Sequence, residues 1–151
     1  MFNDITWKEG ELQVQQYMKK LGYKILATNY FALGVELDIV AILPKRVQIK
    51  QLKREMSAKI KVASKENKKL LKQNLKTAIK EMEDLLVVTE VKARATNKFG
   101  SGSEAVGAVK QHNIIRGTKC FIKENGMQDM QVRFDVASVD SGEITYIENA
   151  F

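Results

Sequence analysis

One cysteine, Cys120, one histidine, His112, and one proline, Pro44, are all that 151 residues contain of these types. A lone cysteine forms no internal disulfide and supplies no Cys-rich zinc site, and it fits a reducing compartment. A lone histidine leaves too few nitrogen and sulfur ligands for a zinc hydrolase, a Ser-His-Asp triad or a Cys-His dyad. No stretch approaches the roughly 18 apolar residues of a membrane span. The opening Met1-Phe2-Asn3-Asp4-Ile5 has no basic region followed by an apolar run, so no secretory signal is expected. These absences predict a cytoplasmic protein with no membrane partner. Its chemistry must run on carboxylates and lysines.

What is present is charge, unevenly placed. The hydrophobic fraction of 44% and charged fraction of 28% are ordinary for a folded chain, and the length suits a single domain over residues 1–151. The net charge of +7 is concentrated: between Lys45 and Asp84 lie 13 of the 25 Lys/Arg and 5 of the 18 Asp/Glu. That segment carries +8 and the remainder −1, a distribution that points to a polyanionic partner for the segment.

Patterning predicts the elements. Thr6 to Leu21 reads as an amphipathic helix on Leu12, Val14, Tyr17, Met18 and Leu21, with Thr6 as N-cap, Glu9 three residues on, Gly22 as C-cap and Trp7 in the core. Tyr23 to Phe31 reads as a strand, and Ala32-Leu33-Gly34 as a turn. Glu36 to Leu43 reads as a central strand covered on both faces, ended by Pro44. From Lys45 to Glu83 there is no Gly or Pro, and helix formers dominate. The apolar series Ile49, Leu52, Met56, Ile60 is out of phase with Leu71, Leu75, Ala78, Met82, which predicts a helical hairpin turning near Ser64. Leu85 to Arg94 is the strongest strand by β-branched content. Asn97 to Ser103 reads as a loop, with Ser103 capping a helix that carries Val106, Val109, Ile114 and Phe121 inward and ends near Asn125-Gly126. Gln131 to Val139 and Ile144 to Ile147 are two final strands about an Asp140-Ser141-Gly142 turn. The order is α-β-β-[helical insertion, about 45–84]-β-α-β-β, an α/β chain.

Residues i and i+2 of a strand share a face, so Glu36 pairs in direction with Asp38, and Glu90 with Lys92. Charges in apolar strands are costly unless paired or used. On neighbouring strands, about 4.8 Å apart, Asp38 and Glu90 can converge on one hard cation. Mg²⁺ keeps several waters, so two carboxylates and a backbone carbonyl such as that of Val91 suffice. Lys92 alongside can orient a water or offset charge on a phosphate, the arrangement of metal-assisted phosphodiester hydrolysis. The spacing alone is unspecific: a second Glu-x-Lys, Glu66-Asn67-Lys68, reads as a charged helix, and a structural salt bridge competes at Glu90-Val91-Lys92.

Context comes from an ordered run of motifs. Gly10-Glu11, Gly22-Tyr23-Lys24-Ile25-Leu26, Asn29 and Glu36-Leu37-Asp38-Ile39-Val40-Ala41 resemble the start of the bacterial YraN family of predicted endonuclease-like proteins. Val88-Thr89-Glu90-Val91-Lys92 with Arg94, Phe99-Gly100, Glu104-Ala105-Val106, Lys110, Arg133-Phe134-Asp135-Val136 and Ile147-Glu148-Asn149-Ala150-Phe151 continue the resemblance. It spans nearly the whole chain except about 44–83. The family is similar to archaeal Holliday-junction resolvases within the PD-(D/E)xK nuclease superfamily. The resemblance implies a restriction-endonuclease-like core with a mixed central sheet flanked by helices. It further implies Asp38 and Glu90 as ligands of Mg²⁺ or Mn²⁺, Lys92 as catalytic lysine, Glu11 as an additional acid, and DNA, branched or duplex, as substrate. Val35 stands where the family usually has a second glycine, Ala93 where it usually has threonine, and the basic insertion is not a regular family feature.

Each remaining signal has a structural reading beside a functional one. Glu36 is a further acid near the site or a turn residue, and Glu11 also suits a helix's first turn by its dipole alone. Lys98 to Ser103 would seat a phosphate at a helix N-terminus or serve only as a cap. Lys110 and Gln111 would reach a substrate backbone or form a solvated face, and Arg133 and Asp135 form a structural pair. Lys50, Lys53, Arg54, Lys68, Lys69 and Lys72 mark the insertion as a phosphate-contacting arm. The same segment reads as a dimerisation hairpin, suited to a two-fold substrate, or as a solvated loop expansion. A non-catalytic nucleic-acid-binding or assembly module is the alternative to the enzyme.

Overall fold

The structure, a computed structural model, describes residues 6–94 and 106–151. Its first helix, α1 (Trp7–Lys20), opens on a capping box: the Thr6 hydroxyl accepts the Glu9 N–H, and the Glu9 carboxylate accepts the Thr6 N–H at 2.7 Å. Gly22, at φ +96, turns the chain into β1 (Lys24–Ala32), in the region that favours glycine. Leu33 and Gly34, both at positive φ, make the tight turn into β2 (Val35–Leu43). Helices α2 (Lys45–Val62) and α3 (Lys65–Glu81) follow, then β3 (Leu85–Arg94), α4 (Ala108–Asn125), β4 (Gln131–Asp140) and β5 (Glu143–Ile147).

The five strands form one mixed sheet in the order β1-β2-β3-β4-β5. Neighbours are antiparallel except β3 and β4, which run parallel because α4 carries the chain back between them. Alternation then sorts the apolar side chains into two layers. Val14 and Met18 of α1 cover Ile39, Ala41, Leu43, Val87, Ala137 and Val139. Ile114 and Phe121 of α4 cover Leu37, Val40, Leu86, Val88 and Val136 on the other face. As expected of a central strand, β2 is buried from both sides. Val35 packs against Gly117 of α4, where a Cβ would come within 3.2 Å of its methyl.

The out-of-phase apolar series does produce a hairpin. The helices break at Ala63–Ser64, and the Ser64 hydroxyl accepts the Asn67 N–H to start α3. Its base is tied to the sheet: Lys45 N–H donates to Asp84 Oδ1 at 2.7 Å, and Gln48 Nε2 donates to the carbonyls of Leu43 and Glu83. Neither helix contains a fully buried residue.

Three expectations are corrected. Trp7 is 56% exposed and lies beside the Lys8 ammonium. It precedes the covered stripe of α1, which begins at Gly10 and Glu11. Val109 is 78% exposed, because the buried stripe of α4 is Ile114, Gly117, Thr118 and Phe121, roughly 140° away at 100° per residue. The helix begins at Ala108 with Gly107 as N-cap, later than a start after Ser103 requires. The loop Asn97 to Ser103, with its proposed phosphate seat, and the motifs Phe99-Gly100 and Glu104-Ala105 lie outside the described residues. Among the described residues no helix is long and apolar enough to cross a membrane.

Arg133 and Asp135 pair as expected, and do more. Arg133 donates twice to the fully buried Asp135 carboxylate and once to Tyr23 Oη, while Tyr146 Oη and Asn149 N–H also donate to Asp135. This network fastens the chain's C-terminal segment to the α1 face of the sheet.

Candidate functional site

The β2–β3 ladder runs from Leu43↔Leu85 to Ile39↔Thr89 and stops there. Strand β3 stays paired to β4 as far as Arg94↔Asp140. Beyond Thr89, therefore, β2 and β3 part, and backbone groups of β3 facing β2 need another partner. Asp38 provides it: its Oδ2 accepts the Val91 N–H at 2.7 Å. The carboxylate sits in the cleft between two diverging strands, in place of a ladder carbonyl.

Glu90 meets it there. The two carboxyls lie within hydrogen-bonding reach, and the Asp38 pKa is raised to about 7, first by burial and then by the Glu90 charge. The Val91 N–H and the Lys110 ammonium oppose that rise. Two carboxyls this close and this poorly hydrated do not both ionise freely; a proton or a cation relieves them. Lys110 Nζ lies 3.1 Å from Glu90 Oε1 and is the more open partner, with side chains 47% and 12% exposed. Lys92 follows Glu90 by two residues on the same strand face and is half-buried.

Glu11 reaches the cleft from α1. Gly10 lets that helix press onto β3: a Cβ there would stand 2.7 Å from the Cβ of Ala93. Glu11, 8% exposed, accepts a hydrogen bond from Asn29 Nδ2 at 3.0 Å, and the same amide reaches Glu36 Oε1 at 3.2 Å. Burial raises the Glu11 pKa against that hydrogen bond, with the charges of Asp38 and Glu36 adding to the rise. Asn29 adopts φ +50, a left-handed conformation that asparagine tolerates better than most.

Of the residues singled out in the sequence, the structure thus gathers Asp38, Glu90 and Glu11 into one electrostatic cluster and engages Val91 through its N–H. Lys110 belongs to the cluster as the counterion of Glu90. Asn29, which bridges Glu11 and Glu36, was legible only as part of a motif; its role depends on a contact across 18 residues. Among the described residues no group of three or more His, Cys, Asp or Glu side chains stands in metal-holding geometry. The pair Asp38 and Glu90 is the oxygen-donor set the site offers. The insertion's cations stand elsewhere. Lys50, Lys53, Arg54, Lys69 and Lys72 are exposed and Lys68 is half-buried, on a hairpin rooted about 17 Å along β2 and β3 from the acid pair. His112 is exposed and Cys120 is a free thiol.

Fold and site together define a mixed α/β protein with an acidic pair clasped between diverging strands. A family model described as uncharacterised protein family UPF0102 matches residues 10–139, and the chain belongs to this family, which is the YraN family of the resemblance. A UPF0102 protein of Sulfurihydrogenibium is 29% identical over 136 residues, covering 90% of this chain and 84% of its own. One of Persephonella marina is 24% identical over 151 residues, covering 100% and 97%. One of Alkaliphilus oremlandii is 31% identical over 148 residues, covering 94% and 93%. The matched span contains the whole acidic cluster and the hairpin.

Proposed function

We propose that this chain is a metal-dependent endonuclease with a restriction-endonuclease-like core, hydrolysing phosphodiester bonds of duplex or branched DNA. The observation that carries the reading is the Asp38 carboxylate held in the β2–β3 cleft against Glu90, with Lys92 two residues further on the same strand. The donor set fits a hard cation: two carboxyl groups, one with its pKa raised by burial and by its neighbour's charge, favour Mg²⁺ or Mn²⁺ over softer metals. Asp38, Glu90 and the Val91 carbonyl would hold it. When bound, such an ion supplies Lewis acidity at a phosphoryl oxygen and lowers the pKa of a coordinated water.

The rest is work for this chain's own groups. The Val91 N–H fixes the Asp38 carboxylate in the cleft, so that its free oxygen lone pairs stay directed at the site. Lys92 orients the attacking water or balances charge building on the phosphate. Glu11, braced by Asn29, adds negative potential from the α1 side. Lys110 neutralises Glu90 when no other cation does.

Incubating the protein with linear and four-way-branched duplexes, with Mg²⁺, with Mn²⁺ and with neither, tests the reading. Metal-dependent cleavage is expected, reduced by about 100-fold or more in Lys92→Ala with an unchanged circular-dichroism spectrum. Cleavage by Lys92→Ala at the wild-type rate, or no cleavage with either metal on either substrate, would sink it.

A further inference from the structure

The hairpin's charges are sorted by face. At roughly 100° per residue, Lys53, Arg46, Lys50, Lys61 and Arg54 of α2 fall within a sector of roughly 100°, beside the seam of Ile49, Leu52, Met56 and Ile60, while Lys59 alone of the exposed cations of α2 lies across the seam near Glu55. In α3, Lys65, Lys69, Lys72, Lys76 and Lys80 recur every three or four residues and form one stripe beside the seam of Leu71, Leu75, Ala78 and Met82. All ten cations of these two stripes are exposed and the seam residues are half-buried.

Handedness decides where the two stripes go. Viewed from its own N-terminus, each helix carries its cations clockwise of its apolar seam. Two parallel helices packed seam to seam would therefore show them on opposite faces. These helices are antiparallel: they join through Ala63–Ser64 at one end, while Gln48 near the start of α2 meets Glu83 just beyond α3 at the other. One helix is thus viewed from the reverse end, and both stripes land on the same face. The acids Glu55, Glu66 and Glu81 fall on the opposite face, together with the exposed apolar residues Val62 and Leu70.

From this sorting we infer that the cationic face of the α2–α3 hairpin is a docking surface for the phosphate backbone of double-stranded DNA. The inference takes its polymer from the nuclease reading but adds a second site, remote from the acid pair. A groove of about 640 Å³, lined among others by Arg46, Lys50, Lys53 and Arg54, runs along this face of α2. Each helix is about 26 Å long at 1.5 Å per residue, a length over which a duplex presents a regular array of phosphates. Residues 45–84 contain no Phe, Tyr or Trp, so the face offers no platform for stacking unpaired bases. It also lacks the exposed apolar stripe with which a basic helix enters a lipid surface, since the apolar residues beside the cations pack on one another. Predominantly lysine, the face provides point charges for backbone contact and no fixed code for base edges.

Fluorescence anisotropy of a short labelled duplex, titrated with full-length protein in EDTA over a range of salt, tests this without chemistry. The α2 triple variant carries Lys50→Gln, Lys53→Gln and Arg54→Gln, and the α3 triple carries Lys69→Gln, Lys72→Gln and Lys76→Gln. Each is expected to weaken binding about tenfold or more, and to flatten the log–log salt slope by roughly 0.9 for every phosphate no longer neutralised. A control triple with the same charge change, Lys19→Gln, Lys20→Gln and Lys24→Gln, should weaken binding less than either. Wild-type affinity in both hairpin triples, or equal weakening in the control, overturns the inference. So does binding to phosphatidylserine vesicles that excess duplex does not compete away. If the hairpin triples no longer bind yet no metal supports cleavage, the nuclease reading fails and this one stands; cleavage with unaltered binding in both triples gives the reverse.

Discussion

The acidic cleft and the helical hairpin use charge in opposite ways. In the cleft, Asp38 and Glu11 are drawn out of water, and the charge of Glu90 on Asp38, and of Asp38 on Glu11, adds to the cost of ionising them. In the hairpin, eleven exposed cations stand in water along two helices that bury nothing fully. Dense like charge is tolerated where solvent screens it; in a sheet interior it persists only where backbone and counterions brace it. The core therefore stores electrostatic tension, whereas the hairpin presents an electrostatic surface. Their mutational responses should differ accordingly.

The largest expected effect is at the buried Arg133–Asp135 pair. Arg133→Ala would leave the fully buried Asp135 without its cation, at a cost of about 3–5 kcal/mol in urea unfolding. Next comes a direct contrast of packing. Leu86→Ala, in the two-sided core, should cost about 2–5 kcal/mol, while Leu75→Ala, in the half-covered seam, should cost about 1 kcal/mol. Equal costs would mean that the hairpin is as integral as the sheet.

The third prediction concerns pH. Asp38 has an ordinary pKa of 3.8 and a folded value of about 7, so the native state holds its proton more tightly than the unfolded chain. Ionising it therefore costs stability: nothing below pH 4, increasingly through the interval, and fully above pH 7. Asp38→Asn removes the cost while keeping an oxygen for the Val91 N–H. Its melting temperature should exceed the wild type's at pH 8, and the gain should vanish towards pH 4. A constant difference across that range would contradict the origin assigned to the shift. The smallest effect is expected for Lys110→Ala. Half exposed, its ion pair is worth under about 1 kcal/mol, but the substitution removes a charge that holds the Asp38 pKa down. In the Lys110→Ala background the advantage of Asp38→Asn should accordingly still set in near pH 4, but grow larger by pH 8 and level off at a higher pH.

Much of the fold was legible because its signals are local. The phase break at Ser64, the capping box at Thr6 and Glu9, the Leu33-Gly34 turn and the apolar run of β2 each depend on residues a few positions apart. The acid pair was legible in type and strand position, since alternation assigns Glu90 and Lys92 a common face. What escaped depends on contacts between distant elements. That Trp7 stays in solvent depends on where α1 crosses β3, which Gly10 and Ala93 set. Val109 points outward because α4 starts at Ala108 and turns its stripe toward Ile114. The pairing of Lys110 with Glu90, and the bridge by Asn29, join residues with no common periodicity. The splaying of β2 from β3 at Asp38 leaves no composition signature at all.

The hairpin begins and ends at one rung of the ladder. Leu43 faces Leu85 directly, and the backbone amide of Lys45 is clasped by Asp84. Chain that departs and returns through adjacent doors can lengthen, shorten or be exchanged without shifting any strand's register. The segment is in this sense a graft on a hairpin bend. Trimming it back to a short turn should leave the five-stranded scaffold standing, and other sequences could be mounted on the same stump to give the acidic cleft a different reach.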